Sequence, residues 1–96
     1  MYDKLDPLLL SQLRLAIMSY LMVVREAEFN ELKEKTEATA GNLSAQISKL
    51  QEAGYIEVYK SFRNNFPLTT CRITPAGVEA FERFYEALQG YFKSEE

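Results

Sequence analysis

Residues Thr39 to Val58 read TAGNLSAQISKLQEAGYIEV, and this stretch constrains the fold more than any other part of the chain. Thr39 is an N-cap type whose hydroxyl accepts from the free N–H groups of a first turn. Gly54 stands where a last turn is closed by a left-handed residue. Between them Ala40, Leu43, Ile47 and Leu50 recur at the helical period and predict a helix with one narrow apolar stripe. At about 100° per residue, Gly41, Ala45, Ser48, Lys49 and Glu52 fall opposite Leu43, with Asn42, Ser44 and Gln46 on the flanks. The outer face is therefore small and rich in hydrogen-bonding groups. Ordinary solvated helix faces share that composition, so the neighbouring elements decide its meaning.

Upstream, Asn30 is placed to cap a short helix holding Leu32, and Thr36-Glu37-Ala38 links it tightly to Thr39, which is helix-turn-helix spacing. Downstream, Tyr55 to Phe62 alternates with Ile56, Val58 and Phe62 at period 2, and Leu68 to Thr74 does the same with Thr69, Cys71 and Ile73. Arg63-Asn64-Asn65-Phe66-Pro67 between them is a turn-rich hairpin tip. Thr74-Pro75 opens a new helix, with Thr as N-cap and Pro at the first helical position, where its missing N–H costs nothing. The expected class is α+β, mostly α: a winged helix-turn-helix of three helices, a β-hairpin wing and a C-terminal dimerisation helix. The recognition helix is expected at about 40–53, the wing at about 55–74 and the last helix at about 75–92, in one domain over residues 1–96.

This element order resembles the small single-domain winged-helix regulators related to the MarR and ArsR families. The strings that carry the resemblance are LRLAIM (Leu13 to Met18), GNLSAQISKLQEAGYIEV and TCRITPAG (Thr70 to Gly77), and they span nearly the whole chain. Leu50, Glu52, Ala53 and Gly54 leading into Tyr55 and Ile56 form the most specific part. The resemblance implies a dimeric transcriptional regulator whose third helix enters the major groove of double-stranded DNA while the wing touches the adjacent backbone. Carried over by position, Gly41, Asn42, Ser44, Ala45, Gln46 and Lys49 are the implied recognition-helix contacts. Lys60, Arg63, Asn64, Asn65 and Arg72 are the implied wing contacts. The chain departs from the pattern in two places: the wing tip carries one cation, and Ala45 stands where relatives often place a reaching side chain.

The charge distribution bears on that expectation. The whole chain has a net charge of −3 and a pI near 5.0, which opposes a polyanion at long range. Residues 33–74 nevertheless hold six cations (Lys33, Lys35, Lys49, Lys60, Arg63, Arg72) against four anions, whereas residues 1–32 hold three against five and residues 75–96 two against five. Only the helix-turn-helix and wing segment is net positive. With a Debye length of about 8 Å at physiological salt, the acidic ends are largely screened from it. If each protomer neutralises about three phosphates, a dimer's binding constant should fall with salt at a logarithmic slope near −5.

Enzymatic chemistry finds little support. The chain has no histidine and a single cysteine, which removes the commonest general base and any thiolate metal cluster. Gly41, Gly54, Gly77 and Gly90 are isolated rather than grouped into a phosphate-cradling loop. No cofactor and no metal are expected. Cys71, in mid-strand, reads as a buried inert thiol in preference to a redox sensor. The apolar residues from Leu8 to Val24 are interrupted by Ser11, Gln12, Arg14, Ser19 and Tyr20, too polar a run for a membrane span, and no signal-peptide pattern opens the chain. A cytoplasmic protein without a membrane partner is expected.

The last helix supplies a partner argument. Val78, Phe81, Phe84, Tyr85, Leu88, Tyr91 and Phe92 fall on an arc of about 140°, opposite Glu79, Glu82, Arg83, Glu86 and Lys93. Its five aromatics offer on the order of 1,000 Å², of which the domain's own core can cover part, and a stable interface takes about 800 Å² per partner; the plainer alternative is a helix that simply packs on its own domain. A homodimer through the first and last helices is expected, with Leu9, Leu13, Phe81, Phe84, Tyr85, Leu88, Tyr91 and Phe92 at its interface. Two function classes follow: a sequence-specific regulator, or a winged-helix assembly module with weak or lost DNA binding. No polar cluster marks an effector pocket.

Overall fold

Three hydrogen bonds at the junction of the third helix, the hairpin and the last helix organise the chain, which is described over residues 2–93 by a computed structural model. Glu95 and Glu96, counted in the acidic last segment, lie outside the described residues. In order, the elements are a 3-10 turn at Pro7–Leu9, then α1 (Gln12–Val24), β1 (Glu26–Glu28), α2 (Phe29–Thr36), α3 (Ala40–Glu52), β2 (Ile56–Arg63), β3 (Phe66–Ile73) and α4 (Pro75–Phe92). The three strands form one antiparallel sheet in the order β1-β3-β2. This is a winged helix: four helices with a three-stranded sheet whose long hairpin is the wing.

The local chemistry explains most of the boundaries. The Thr39 hydroxyl accepts from the Asn42 N–H at 3.2 Å and caps α3. At the other end Gly54, at φ 81°, closes the helix: its N–H donates to the Gln51 carbonyl (2.9 Å) and the Tyr55 N–H to the Leu50 carbonyl (3.0 Å). That is a Schellman closure, which satisfies carbonyls the helix would otherwise leave unpaired. Leu43, Ile47 and Leu50 are buried, while Ala40 in the first turn stays exposed. Leu9, Ile17, Met18, Leu21, Leu32, Ile56, Cys71, Ile73 and Phe84 complete one core between the helices and the sheet.

Three details differ from the sequence expectation. The strand β1 was not foreseen, because three residues are too few to show a period. The chain enters it through Arg25, at φ 72°, whose carbonyl accepts from the Ile73 N–H at 3.0 Å. The helix α2 starts at Phe29, not after an Asn30 cap; Glu28 occupies the cap position without a side-chain bond, since its carboxylate is held by Arg63. The hairpin turn is also tighter. Asn64 (φ 52°) and Asn65 (φ 67°) both take positive φ, as a two-residue I′ turn requires, so the strands run on to Arg63 and Phe66.

The junction begins at Thr74. Its hydroxyl accepts from the Gly77 N–H (3.0 Å), capping α4, and donates to the Gly54 carbonyl (2.6 Å), while its N–H donates to the Tyr55 carbonyl (3.0 Å). Gly77 is pressed so closely on this carbonyl that a Cβ would lie 2.2 Å from the Tyr55 oxygen. The Tyr55 phenol donates to Asp6, whose other carboxylate oxygen accepts from the Leu8 N–H at 3.0 Å. Gly77→Ala should therefore lower stability by about 1–3 kcal/mol, the usual cost of forcing extra volume into a packed site, read as a lower midpoint in urea. Burial and the Asp6 carboxylate push the Tyr55 phenol up to about 12 from 10.0, so the folded state favours the neutral phenol. This contribution is fully present below pH 10 and is lost as pH rises toward 12. Urea titrations across that range should show a loss that Tyr55→Phe lacks.

Candidate nucleic-acid interface

The face of α3 that turns away from the core presents Gly41, Asn42, Ser44, Ala45, Ser48 and Lys49, all exposed. No atom lies within 4 Å of where a Gly41 Cβ would be, so the face is open there. Gln46 is half-buried and already engaged. Its carbonyl oxygen accepts from the Arg14 guanidinium, and its amide donates to the Asn42 Oδ1 at 3.1 Å. Arg14 also donates from Nε to the Leu8 carbonyl at 2.6 Å. Sequence reasoning did not find this bridge, because it joins residues 32 positions apart with no local signature.

The register of the hairpin sorts the wing residues onto two faces. Ile56, Val58, Lys60 and Phe62 pair with Ile73, Cys71, Thr69 and Pro67 on the face that carries the core. Glu57, Tyr59, Ser61 and Arg63 pair with Arg72, Thr70, Leu68 and Phe66 on the other. The inner face and α3 enclose a shallow cleft of about 230 Å³ lined by Phe29, Ser44, Ile47, Ser48, Gln51, Val58, Lys60 and Thr69. Lys60 and the exposed side of α3 thus border one concavity.

Arg63 and Arg72 lie on the outer face and are paired with β1. Arg63 meets Glu28. Arg72 meets Glu26 at 3.0 Å and stacks 5.1 Å from the centroid of the Tyr59 ring. The Glu26 carboxylate beside Arg72 raises its guanidinium further, keeping it charged. Both pairs are exposed and screened by solvent, so their main effect is to neutralise two of the three wing cations foreseen from the sequence. Among the described residues Lys49 and Lys60 carry no ion pair; Lys60 lines the cleft, and Lys49 is exposed on α3 outside it. Asn64 and Asn65 form the turn itself and are exposed at the tip.

On the opposite side, two residues expected at a dimer interface are used by the protomer's own core. Leu9 is fully buried and Phe84 is 4% exposed, because the 3-10 turn and the centre of α4 pack inward. Leu13, Phe81 and Leu88 are partly buried against the same core. Tyr85, Tyr91 and Phe92 remain exposed. Tyr91 stacks 5.1 Å from Tyr2 and donates to the Asp3 carbonyl at 2.8 Å, while Tyr85, Phe81 and Met22 border a shallow cleft with Glu82 and Glu86. Among the described residues no group of three or more His, Cys, Asp or Glu side chains is spaced to hold a metal, and no helix is long and apolar enough to cross a membrane.

A helix-turn-helix whose second helix is flanked by a wing defines the winged helix-turn-helix class. The chain matches the winged helix DNA-binding domain family over residues 13–92 and belongs to that family. An uncharacterized protein of Methanocaldococcus jannaschii is 40% identical over 80 residues, spanning 82% of this chain and 87% of its own length. The transcriptional regulator homologue protein from Pyrococcus horikoshii OT3 is similar with a TM-score of 0.83 and 32% identity, over 88% of this chain and 84% of that one. A mutant MarR from E. coli complexed with operator DNA shares the fold at a TM-score of 0.72 and 16% identity, over 85% of this chain and 58% of that one.

Cys71 lies on the inner face of β3, where burial pushes its thiol up to about 11 from 9.0. Two pK units lower the thiolate fraction about 100-fold. Labelling with a thiol reagent at neutral pH should therefore be at least about 100-fold slower in the native protein than in the denatured one.

Proposed function

We propose that this protein is a dimeric transcriptional regulator that binds double-stranded DNA, with α3 in the major groove and the wing on the flanking backbone. The observation that carries the reading is the shared cleft: the Ser44 and Ser48 edge of the exposed α3 face and the wing lysine Lys60 border one concavity. Small residues at Gly41 and Ala45 allow close approach to the groove floor, and Asn42, Ser44, Ser48 and Lys49 are side-chain types that bond base edges or phosphates. Membership of a DNA-binding family, and likeness to a transcriptional regulator homologue, support the same reading. In this reading Arg63 and Arg72 brace the wing through β1, Gln46 orients Asn42, and Asn64 and Asn65 shape the tip. A cytoplasmic setting follows from that role.

The dimer of this proposal rests on the exposed aromatics Tyr85, Tyr91 and Phe92, with Leu13, Phe81 and Leu88 at their margin and Leu9 and Phe84 reserved for the core. A two-fold axis there is the simplest way to set two α3 helices about one DNA turn apart. With Lys49 and Lys60 as the phosphate-neutralising cations, a dimer engages about four phosphates, and the logarithmic salt slope is near −4 rather than −5 because the wing arginines are already paired. Fluorescence anisotropy with host genomic fragments should show binding at low salt with that slope. Lys49→Glu combined with Lys60→Glu should abolish it, while light scattering still gives the mass of a dimer. No binding at low salt would favour an assembly module instead, a reading to which the neutralised wing arginines lend some support.

A further inference from the structure

Phe62 is 76% exposed and sits on the inner face of the wing, one residue from the start of the turn. Its partner across the hairpin is Pro67. In a two-residue hairpin this is a non-hydrogen-bonded pair, with Cα atoms about 4.5 Å apart, so the two rings form one compact apolar projection. Proline costs nothing at this position: its nitrogen points away from β2, and β1 pairs only with Thr70 to Arg72. Two residues back on the same face stands Lys60, roughly 7 Å along the strand.

Charge decides which partner this face admits. The paired hairpin residues of the inner face, from Ile56 to Phe62 and from Pro67 to Ile73, include one cation and no carboxylate. The carboxylates of the sheet, Glu57 with Glu26 and Glu28, all lie on the outer face, where they hold Arg63 and Arg72 or accept from Tyr59. A polyanion is therefore admitted on the inner side and repelled on the outer side. This face is also continuous with the cleft beneath α3.

We infer that the wing engages DNA through an apolar wedge, Phe62 backed by Pro67, which enters the minor groove beside the α3 site and partly unstacks one base step while Lys60 holds the adjacent phosphate. The inference rests on the reading of α3 as the DNA-contacting helix. Phenylalanine and proline are among the side chains that open base steps in this way, and the result is a kinked duplex. The wing of this chain thus reads how easily the flanking step deforms, in place of charge-based reading by arginine.

The test uses the full chain and a duplex recovered from host genomic DNA by binding selection, with 2-aminopurine placed in turn at each flanking position. The wedge predicts a rise in 2-aminopurine fluorescence at one step in each half-site and a bend measurable by energy transfer between end labels. Phe62→Ala should weaken binding about tenfold, abolish the fluorescence rise and reduce the bend, with the salt slope unchanged because no phosphate contact is lost. Phe62→Leu should restore much of the effect. Phe66→Ala, which removes an equally exposed ring (73%) from the outer face, should change binding by less than about twofold. Tight binding with flat fluorescence at every position, or Phe62→Ala binding and bending like the parent, overturns the wedge and leaves the α3 reading standing. Absence of DNA binding by the parent protein overturns both. A loss of dimer mass in Phe62→Ala without DNA assigns the ring to a protein contact and also overturns the wedge.

Discussion

The contact between Gly77 and the Tyr55 carbonyl, with Thr74 bonded on both sides of it, fixes where every functional element points. Three segments meet within a few ångströms there: the closed end of α3, the first residues of β2 and the capped start of α4. Because Thr74 caps α4 and simultaneously takes up the Gly54 carbonyl, the direction of the last helix is set by the same residue that anchors the end of α3. The exit angle of the wing is fixed as well, since Tyr55 is held by its carbonyl on one side and by its phenol to Asp6 on the other. A side chain larger than hydrogen at residue 77 would have to displace main chain, which a packed core resists.

From that junction the sheet separates charge by face. Alternation along β2 and β3 sends residues to opposite sides, and β1 then adds two more carboxylates to the outer side only. The pairing costs little and yields little in stability, because all four partners are exposed. Its effect is on the field around the wing. The outer side becomes a mixture of both signs with three carboxylates against two arginines, while the inner side keeps one lysine and a row of apolar and hydroxyl groups. An acidic chain can in this way keep a locally positive concavity.

The residues made local structure easy to read and its assembly hard. Thr39, Gly54 and Thr74 cap the helices their types and positions predicted, and Leu43, Ile47 and Leu50 face the core as their spacing required. The winged-helix class was legible for the same reason, since it is mostly a matter of element order. The third strand was not: Glu26-Ala27-Glu28 is a strand only because β3 offers it an edge. For the same reason the fate of Arg63 and Arg72 was hidden, as their partners are set by the β1–β3 register. Helical periodicity found the aromatic arc of α4 but not how it is divided. Phe84 lies toward one edge of the arc and is consumed by the core, while Tyr85 and Phe92 toward the other edge are left to solvent.

Arg14 gives the exposed face of α3 a definite hydrogen-bonding polarity. By donating to the Gln46 carbonyl it leaves the amide of Gln46 to point at Asn42, and Asn42 accepts through its oxygen. With its oxygen so used, Asn42 has its amide hydrogens left to offer. Together with the ammonium of Lys49 they make this part of the helix a donor surface, suited to groups that accept, such as the O6 and N7 edge of guanine or the O4 of thymine. What α3 offers a partner is thus fixed by a guanidinium on α1, which is itself tied to the Leu8 carbonyl, so the chemistry of one helix face is inherited from the segment that precedes the fold's first long helix.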